Sequence, residues 1–493
     1  MATEKTHYEY IIVGAGPAGV QMAYCMEKAK MDYLVVERND GPGSFFRKFP
    51  RHRSLISINK KHNFFPEPEF NMRHDWNSLL NDDEKNPLLF TNYSDKLFPD
   101  ADDLVKYLED FCKKYPMNIR YNINIEKVHR DEMKDGQRSQ SRFTITDDAS
   151  GETFTSRVLL VGTGSCLPHT PEVPGVELID TYQDHTLDIE EYTNKKVCVL
   201  GGGNSAFEVA DHLAGSAAII HIFNKHDIKC SWNTHFVGHL RAVNNNIIDM
   251  YHLKSLHALR QCDVTRVWKT EDGKFSIEYK MDLPNWNPPG TGHFVTSGYD
   301  KIISCTGWKF LNIDMFDDSC KPETHADGKY PVLDEHWQTT VNDMYFIGTP
   351  MQSRDQKSAS GFIHGFRYNV RTLSRLLRHA YGNIELPKKV FSPIDQEEIC
   401  KWIVDHVSVV SSLYQMIQGF LCDVMVINPD KVEYINELPQ AWTGIGKGGY
   451  VEELFSDEMM SKVYYPWTKE EIKAKIEIER ALMNKTYECT GPV

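Results

Sequence analysis

Two glycine-rich runs in the sequence have the spacing that phosphate binding requires. In the first, glycines stand at positions 14, 16 and 19, between a β-rich run at 7–13 and a helix-forming run at 20–30. The first glycine permits a tight turn, the second lets a pyrophosphate approach the backbone, and the third lets helix and strand pack closely. A second apolar strand, at 32–36, leads into an acid that can accept hydrogen bonds from a ribose. The predicted dinucleotide-binding residues are Gly14, Gly16, Pro17, Ala18, Gly19, Glu37 and Arg38.

The second run, at 201–206, repeats this pattern with an alanine in place of the third glycine. A helix-forming run at 207–213 and a strand at 218–223 follow it, and the strand leads into Asn224-Lys225-His226 rather than an acid. A cation without a competing carboxylate suits the 2′-phosphate of NADPH. The alternative is that Lys225 is a solvated loop residue. The predicted NADPH contacts are Gly201, Gly203, Asn204, Ser205 and Lys225.

Two nucleotide-binding units in one chain indicate a flavin that a nicotinamide reduces. Apolar strands at 157–164 and 301–307 end in small residues, where the chain would cross between domains, and this adds Gly164 to the predicted contacts. A further strand at 344–348 precedes a helix near 363–379. We therefore expect an α/β protein with two Rossmann-like dinucleotide-binding domains, one for FAD and one for NADPH. The FAD domain is predicted to be discontinuous, over 1–166 and 341–436, around an NADPH domain at 167–340, with a helical C-terminal extension at 437–493.

Composition excludes several other classes of protein. The 493 residues carry 55 Lys and Arg against 69 Asp and Glu, a formal charge of −14, which argues against nucleic-acid binding. The eleven cysteines form no C-x-x-C pair, so neither a local dithiol nor a metal site is predicted. One stretch at 47–61 holds six basic residues and no acid. Arg47 and Arg51 could clamp a pyrophosphate there, although such a stretch could equally be a solvated loop.

The termini and the apolar segments contain no targeting signal. The first residues lack the charged-then-apolar pattern of a signal peptide, and the most hydrophobic later stretch, 407–427, is interrupted by polar residues. We therefore expect a cytoplasmic protein without a membrane span. A homo-oligomer is left open.

Several motifs resemble those of the flavin-containing monooxygenase superfamily. The turn at 201–205 resembles its G-x-G-N-S motif, and the segments 50–60, 71–80 and 361–368 most resemble the FAD-dependent oxidoreductases implicated in endoplasmic-reticulum-associated degradation. Their signal peptide and retrieval tail are missing from this sequence. The superfamily's F-x-G-x-x-x-H signature is also degenerate, since Ile179 and Thr181 stand at its Phe and Gly positions, before His185.

The resemblance implies an FAD-dependent, NADPH-consuming monooxygenase. Such an enzyme oxygenates a nitrogen or sulfur centre of a small amine or sulfide with molecular oxygen, through a C4a-hydroperoxyflavin. It implies that Asn59 is the active-site asparagine, at the flavin and nicotinamide, and that Trp76 approaches the flavin. A turn or capping asparagine is the alternative for Asn59. The alternative enzyme is an NADPH-dependent flavin reductase or oxidase acting on a protein or a thiol/disulfide partner. A structural scaffold would not require the intact glycines.

Overall fold

A computed structural model describes residues 5–63, 65–131, 142–231, 238–250, 256–283, 290–355, 359–414 and 420–443. Its strands are β1 (His7–Val13), β2 (Tyr33–Glu37), β3 (Ile119–Tyr121), β4 (Ile125–Arg130), β5 (Phe143–Asp147), β6 (Thr153–Val161), β7 (Leu167–Pro168), β8 (Asp180–Thr181), β9 (Lys196–Leu200), β10 (Ile219–Asn224), β11 (Ala258–Gln261), β12 (Asp263–Lys269), β13 (Phe275–Leu283), β14 (Gly290–Tyr299), β15 (Lys301–Ser304), β16 (Trp308–Lys309), β17 (Thr324–His325), β18 (Tyr330–Pro331), β19 (Met344–Phe346), β20 (Lys388–Phe391), β21 (Leu421–Ile427) and β22 (Val432–Pro439).

The helices are α1 (Pro17–Lys28), α2 (Ser44–Lys48), α3 (Pro68–Asn71), α4 (Ala101–Lys114), α5 (Asn204–Leu213), α6 (Asn246–Met250), α7 (Gln352–Asp355), α8 (Ile363–Gly382), α9 (Gln396–Val409) and α10 (Gln440–Thr443). Helices α1, α5 and α8 begin and end close to where the sequence predicts them, and the other helices were not predicted. Helix α1 starts three residues before its predicted start because Pro17, which has no N–H to leave unpaired, takes the first helical position. Helix α8 ends at Asn383, whose positive φ of 52° stops the helix.

The first sheet has the strand order β3-β2-β1-β6-β5-β4, and β19 also pairs with β6. Strands β3, β2, β1, β6 and β19 are parallel to their neighbours, whereas β5 is antiparallel to both β4 and β6. Strand β6 has two neighbours on the same side because its first half pairs with β5 and its second half with β19. The alternation of burial in that first half gives way to complete burial in the second, as a strand between parallel neighbours requires.

The second sheet has the order β11-β10-β9-β15-β8, and every pair in it is parallel. Helix α5 packs its buried face, which includes Phe207 and Val209, against this sheet. A separate antiparallel sheet, β12-β13-β14, covers the other face through a cluster that contains Ile277 and Tyr299. In each of the two large sheets one parallel strand, β1 or β9, leads at its carboxyl end into a glycine-rich turn.

The chain divides into two compact units. The first comprises 1–385 and 406–421, and the second comprises 386–405 and 422–493. Within the second unit, strands pair in the order β20-β22-β21, and Phe391, Ile399, Val432 and Tyr434 form a small core. Strand β22 runs past residue 436, where the C-terminal extension was predicted to begin. Residues 444–493, which make up most of that extension, lie outside the described residues.

No helix in the described part of the chain combines the length and the apolar composition that crossing a membrane would need.

Candidate functional site

The first glycine-rich turn uses its three glycines in different ways. Gly14 has a φ of +103°, and a Cβ there would stand 2.7 Å from the carbonyl oxygen of Gly162. A Cβ on Gly19 would stand 1.9 Å from the Gly14 oxygen, so helix α1 could not pack this closely on β1 with a larger residue. A Cβ on Gly16 would meet nothing within 4 Å. Gly16 therefore borders open space, where a pyrophosphate could reach the backbone at the start of α1.

Glu37 is buried at the end of β2 and ties that strand to the turn. One carboxylate oxygen accepts the Ala15 N–H at 2.8 Å, and the other accepts the Asn39 N–H at 3.0 Å and the Ser44 hydroxyl. Arg38 follows as an exposed residue. The acid thus stands beside the glycine-rich turn, as the dinucleotide prediction requires, and its structural partners are backbone and hydroxyl donors.

Polar atoms without partners collect at the same edge of the first sheet. The hydroxyls of Thr163 and Thr349 and the carbonyl oxygen of the Gln352 side chain are buried and have no hydrogen-bond partner within the described residues. Thr163 follows β6, which pairs with β1, and Thr349 follows β19, which pairs with β6. Buried polar groups normally find partners, so these atoms fit a bound polar ligand. Gly164, at φ +63° and with its would-be Cβ 3.7 Å from the Thr349 hydroxyl, belongs to this edge.

The residues at this edge therefore fit FAD. A flavin dinucleotide needs open space for its pyrophosphate, which lies over Gly16 at the start of α1. It also needs polar groups, which are the buried acid at the end of β2 and the neutral hydroxyl and amide groups.

The second glycine-rich turn has the same geometry. Gly201 has a φ of +127°, and a Cβ there would stand 2.2 Å from the Cys305 oxygen. A Cβ on Gly203 would have the Gly238 oxygen as its nearest neighbour, at 3.7 Å. Ser205 lines a small pocket at the carboxyl edge of the second sheet, with His169, Ser304 and other residues. A Cβ on Gly203 would make only ordinary contact with the Gly238 oxygen, so this turn leaves its backbone accessible to a phosphate at the start of α5.

The side chain of Asn204 is occupied by the protein itself. Its amide donates to the His239 carbonyl at 2.8 Å, and its oxygen accepts the Arg241 N–H at 2.9 Å and the Asn244 amide at 3.1 Å. Asn204 therefore anchors the segment 239–244 to the start of α5, and its predicted contact with the nucleotide stays a prediction.

Lys225 does have a competing carboxylate. Its ammonium nitrogen is 3.2 Å from a carboxylate oxygen of Asp263, and both side chains are largely exposed. The premise of an unopposed cation was wrong, because β11 pairs with β10 and its continuation brings Asp263 back beside the end of β10. An exposed pair of this kind is weak enough for a phosphate to displace the carboxylate, so the contact with NADPH stays a prediction.

The basic stretch at 47–61 docks mainly on protein acceptors. Arg47 binds Glu109 and Arg53 binds Asp102, each at 2.7 Å, and both acids lie on α4. Arg51 donates to the carbonyls of Tyr182, Gln183 and His185. The predicted pyrophosphate contacts of Arg47 and Arg51 stay predictions, and their side-chain partners argue against them.

Next to Arg51, a partly buried acid on α5 joins the two nucleotide-binding regions. Glu208 accepts both the backbone N–H and the ring Nδ1 of His52 at 2.8 Å with one oxygen, and the Tyr182 hydroxyl at 2.9 Å with the other. Burial and the charge of Arg51 lower the pKa of His185 to about 4, so its imidazole is neutral at pH 7. Ring contacts link His52 to His185 and to His212. Sequence reasoning identified Arg51 but not the role of Glu208.

Asn59 is buried, and both of its nitrogens are engaged. Its backbone N–H donates to the Leu97 carbonyl at 2.7 Å, and its side-chain amide donates to the Ser94 carbonyl at 2.7 Å. An antiparallel bridge pairs the backbone of Asn59 with Asp75, the residue before Trp76. The two residues that the family resemblance selected thus lie on adjacent segments, and the catalytic role of Asn59 stays a prediction.

Trp76 stands in a wall of aromatic rings. Its indole stacks on the His364 ring with centroids 5.1 Å apart and meets the edge of the Phe362 ring at 5.8 Å. The Arg241 guanidinium lies 5.7 Å from the Trp76 ring and 4.9 Å from that of Phe362. Burial lowers the pKa of His364 to about 3 and that of Arg241 to about 10, so at pH 7 the imidazole is neutral and the guanidinium charged.

Two further side chains connect this wall to the first nucleotide turn, and the sequence argument missed both. Gln21 on α1 donates to the Leu80 carbonyl and accepts the Leu80 N–H, and Arg367 on α8 donates to the Ser78 carbonyl at 2.8 Å. A signal was present: a glutamine inside the apolar helix after the glycines, and an arginine and a histidine in the run 363–368, are polar residues at positions that should be buried.

Two sheets, each with parallel strands that lead into a glycine-rich turn and a helix, define an oxidoreductase that binds two dinucleotides. The family model for pyridine nucleotide-disulphide oxidoreductases matches residues 11–348, and the chain belongs to that family. It is 39% identical over 454 residues to the FAD-dependent oxidoreductase domain-containing protein 2 of Mus musculus, covering 88% of this chain and 67% of that protein.

Two other proteins of known name are more distantly similar. The probable indole-3-pyruvate monooxygenase YUCCA10 of Arabidopsis thaliana is 27% identical over 214 residues, covering 42% of this chain and 49% of that protein. The bacillithiol disulfide reductase Bdr (YpdA) of Staphylococcus aureus shares the fold, with a TM-score of 0.56 at 16% identity over 76% of this chain and 99% of that chain.

These findings confirm the predicted α/β fold with two nucleotide-binding domains and the predicted resemblance to FAD-dependent oxidoreductases. They also confirm the prediction of an oxidoreductase that uses FAD and NADPH.

Proposed function

We propose that this protein is an FAD-dependent, NADPH-consuming monooxygenase that oxygenates a nitrogen or sulfur centre of a small molecule. The family membership supports the class of cofactors, and the likeness to a relative named as a monooxygenase supports oxygen transfer. The amine or sulfide substrate and the use of molecular oxygen are part of the proposal. The domain limits 1–166, 167–340, 341–436 and 437–493 and a cytoplasmic location remain predictions.

The observation that carries the proposal is the orientation of the buried Asn59 amide. Because its nitrogen donates to the Ser94 carbonyl, its oxygen must face away from that carbonyl and is available as an acceptor. An amide in this orientation can hold a hydrogen-bonding group of a cofactor or substrate without supplying an acidic proton. That property suits a site where reactive oxygen must be transferred rather than released as hydrogen peroxide.

Bound FAD would be the group that reacts with molecular oxygen, and NADPH would supply the hydride that reduces it. The first turn, Gly14–Gly19, with Glu37 would hold FAD, and the second, Gly201–Ser205, would hold NADPH. The protein's own contribution is to bind and orient the cofactors and the substrate, and to keep water out of the site. The rings of Trp76 and Phe362 supply an apolar wall for that purpose.

The imidazoles near this wall withhold protons at neutral pH. His364 is neutral because burial lowers its pKa to about 3, and burial also lowers the pKa of His74. A protonated imidazole would act as a general acid, and its absence favours transfer of oxygen over loss of peroxide. The residue pattern therefore supports a monooxygenase more than an oxidase.

The alternative of a reductase for a thiol or disulfide partner finds less support. Burial raises the pKa of Cys166 and Cys320 to about 11 and that of Cys262 to about 12, so these thiols are protonated at neutral pH. Thiolates, rather than thiols, carry out disulfide exchange. Direct electron relay through these cysteines is therefore disfavoured, and reduction of a disulfide becomes one outcome of the experiment.

The experiment is a complete balance of products. Purified protein with FAD is given NADPH, oxygen and a panel of tertiary amines, sulfides and disulfides, and NADPH consumed, oxygenated product, hydrogen peroxide and free thiol are measured. A monooxygenase forms one oxygenated product per NADPH with at least one amine or sulfide. Peroxide equal to NADPH with every compound, or thiol release from a disulfide, contradicts the proposal.

The first prediction concerns the amide itself. Asn59→Ser should retain FAD and release several-fold more hydrogen peroxide per NADPH, because the single oxygen of the shorter serine side chain cannot take the positions of both the amide nitrogen at the Ser94 carbonyl and the amide oxygen. Asn118→Ser is the matched control, since the Asn118 amide also donates to a carbonyl, that of Tyr33, but away from the candidate site. Unchanged coupling in Asn59→Ser would show that this amide has no part in the chemistry.

A further inference from the structure

The irregular segment 72–78 carries Trp76 and lies beside Asn59, but it has little regular secondary structure to hold it. Outside the short helical turn that ends at Asn71, its shape depends on side chains. A single guanidinium joins the two ends of the segment: Arg367 donates to the Met72 carbonyl and to the Ser78 carbonyl, each at 2.8 Å. Arg367 is completely buried, and its side chain comes from helix α8.

An acid in the middle of the segment shapes its turn. One oxygen of the Asp75 carboxylate accepts the N–H groups of Asn77 at 3.0 Å and Ser78 at 2.8 Å, and the other accepts the Ser78 hydroxyl at 2.5 Å. The same carboxylate lies 3.8 Å from the Arg367 guanidinium, and both side chains are buried. A buried charge whose partner is removed is strongly destabilising, so each member of this pair needs the other.

The pair is connected to both predicted site residues. The backbone of Asp75 forms the antiparallel bridge to Asn59, and Trp76 follows Asp75 directly. Three residues before Arg367 on α8, His364 stacks on Trp76 and has its Nε2 atom 3.3 Å from the Arg73 carbonyl. One face of α8 therefore reaches the segment at Met72, Arg73, Trp76 and Ser78.

We propose that Asp75 and Arg367 are positioning residues that hold Asn59 and Trp76 in place for the flavin chemistry. Neither residue needs to touch the cofactor or the substrate. The pair fixes the turn at 75–78, the turn fixes the bridge to Asn59, and the bridge sets the position of the Asn59 amide. The inference rests on the proposed function, because it assigns Asn59 its role in keeping oxygen transfer coupled to NADPH.

The decisive variant is Asp75→Asn, which keeps the shape and removes the charge. Asp147→Asn is the matched control: Asp147 is also a buried acid that caps a turn, accepting the N–H and hydroxyl of Ser150 and the N–H of Asn124, and it lies on β5. Hydrogen exchange of the FAD-free protein is measured first. In Asp75→Asn, amides of 57–61 and 72–78 should exchange about tenfold faster or more, and in Asp147→Asn they should keep the wild-type rates.

Coupling is measured second, as hydrogen peroxide per NADPH in the FAD-loaded protein. Asp75→Asn should leak several-fold more peroxide, and the double variant Asp75→Asn with Asn59→Ser should leak no more than Asn59→Ser alone, because the acid acts through the amide. Additive effects in the double variant, or wild-type exchange at 57–61, would overturn the positioning role.

If Asp75→Asn does not fold, Arg367→Lys replaces it. A lysine keeps the charge near Asp75, but its compact ammonium cannot reproduce the fork of the guanidinium that joins Met72 to Ser78. Faster exchange at 72–78 together with lost coupling supports the proposal, and wild-type behaviour in both measurements overturns it. Failure of the wild-type protein to oxygenate any compound would instead contradict the proposed function, because the exchange experiment contains neither cofactor nor substrate.

Discussion

Glycines 16 and 19 have different physical roles in the first turn, as the motif predicts. Gly19 is needed by the fold, since a methyl group there would collide with the Gly14 carbonyl. Gly16 is needed by the ligand, since a methyl group there would enter space that the protein leaves open. The same division holds in the second turn, where Gly201 is packed against Cys305 and Gly203 is not.

A pair of variants tests this division. Gly16→Val should leave the thermal midpoint of the FAD-free protein nearly unchanged and abolish FAD binding, because the added side chain fills the phosphate approach. Gly19→Ala should destabilise the FAD-free protein by about 1–3 kcal/mol, the usual penalty for overpacking. Thermal melts without FAD and a titration with FAD provide both quantities. Normal FAD affinity in Gly16→Val would place the pyrophosphate elsewhere.

Helix α8 supports the candidate site by presenting polar side chains at its buried start. Three of these side chains are buried and contact another segment. His364 stacks on Trp76 and lies beside the Arg73 carbonyl. Arg367 donates to the carbonyls of Met72 and Ser78, and the Tyr368 hydroxyl donates to that of Ser411. The helix therefore acts as a rigid frame for irregular backbone, which is how a functional segment without secondary structure can be held in one conformation.

The neutral histidine at the start of α8 makes stability depend on pH. Its pKa falls from 6.5 to about 3 on folding, so below pH 6.5 the unfolded chain binds a proton that the folded chain excludes. Stability should therefore decrease as the pH falls from 6.5 towards 3, by about 2 kcal/mol between pH 7 and pH 5 for this residue.

The measurement compares urea unfolding at pH 7 and pH 5. His364→Gln should lose about 2 kcal/mol less than the wild-type protein over this interval, because glutamine does not titrate. His62→Gln, at an exposed position, serves as the control and should follow the wild-type curve. Identical losses in wild type and His364→Gln would mean that this imidazole is already protonated in the folded protein.

On the scale of the whole molecule, the loop around Arg51 and His52 connects the two nucleotide-binding regions. Arg51 donates to carbonyls of the segment 182–185, and His52 binds Glu208 on α5, the helix that starts at the second glycine-rich turn. The basic stretch of this acidic protein thus serves, within the described residues, mainly as a connector. The net charge of −14 bears on solubility and does not predict such local arrangements.

Glu208→Gln tests this connection. A glutamine has one acceptor oxygen and cannot receive both His52 and the Tyr182 hydroxyl, so a loss of about 1–3 kcal/mol is expected. Hydrogen exchange should increase at 50–53 and 181–187. Asp211→Asn is the control and should show wild-type exchange, because Asp211 lies on the same helix but accepts the amide of Asn246 rather than a group of the loop at 50–53. Equal exchange in both variants would disprove a connecting role for Glu208.

Much of the fold could be predicted from local sequence patterns. Strands β1, β2, β9 and β10, and helices α1 and α5, lie within a few residues of their predicted bounds, because alternation of apolar runs and glycine turns is a local property. The antiparallel strands β12–β14 were not predicted. They follow one another in the chain, but their place over the second sheet depends on packing against residues distant in sequence, such as Leu200.

The sequence by itself determined the two glycine turns, the acid after β2 and hence a two-dinucleotide oxidoreductase. These features are encoded within some twenty consecutive residues each, as the motif requires. Only the tertiary structure decided the partners of the charged residues: Asp263 beside Lys225, Glu109 beside Arg47, and Arg367 beside Asp75. Each of these pairs joins segments separated in the chain, and electrostatic and hydrogen-bond partners are set by distance in space, which composition and spacing do not contain.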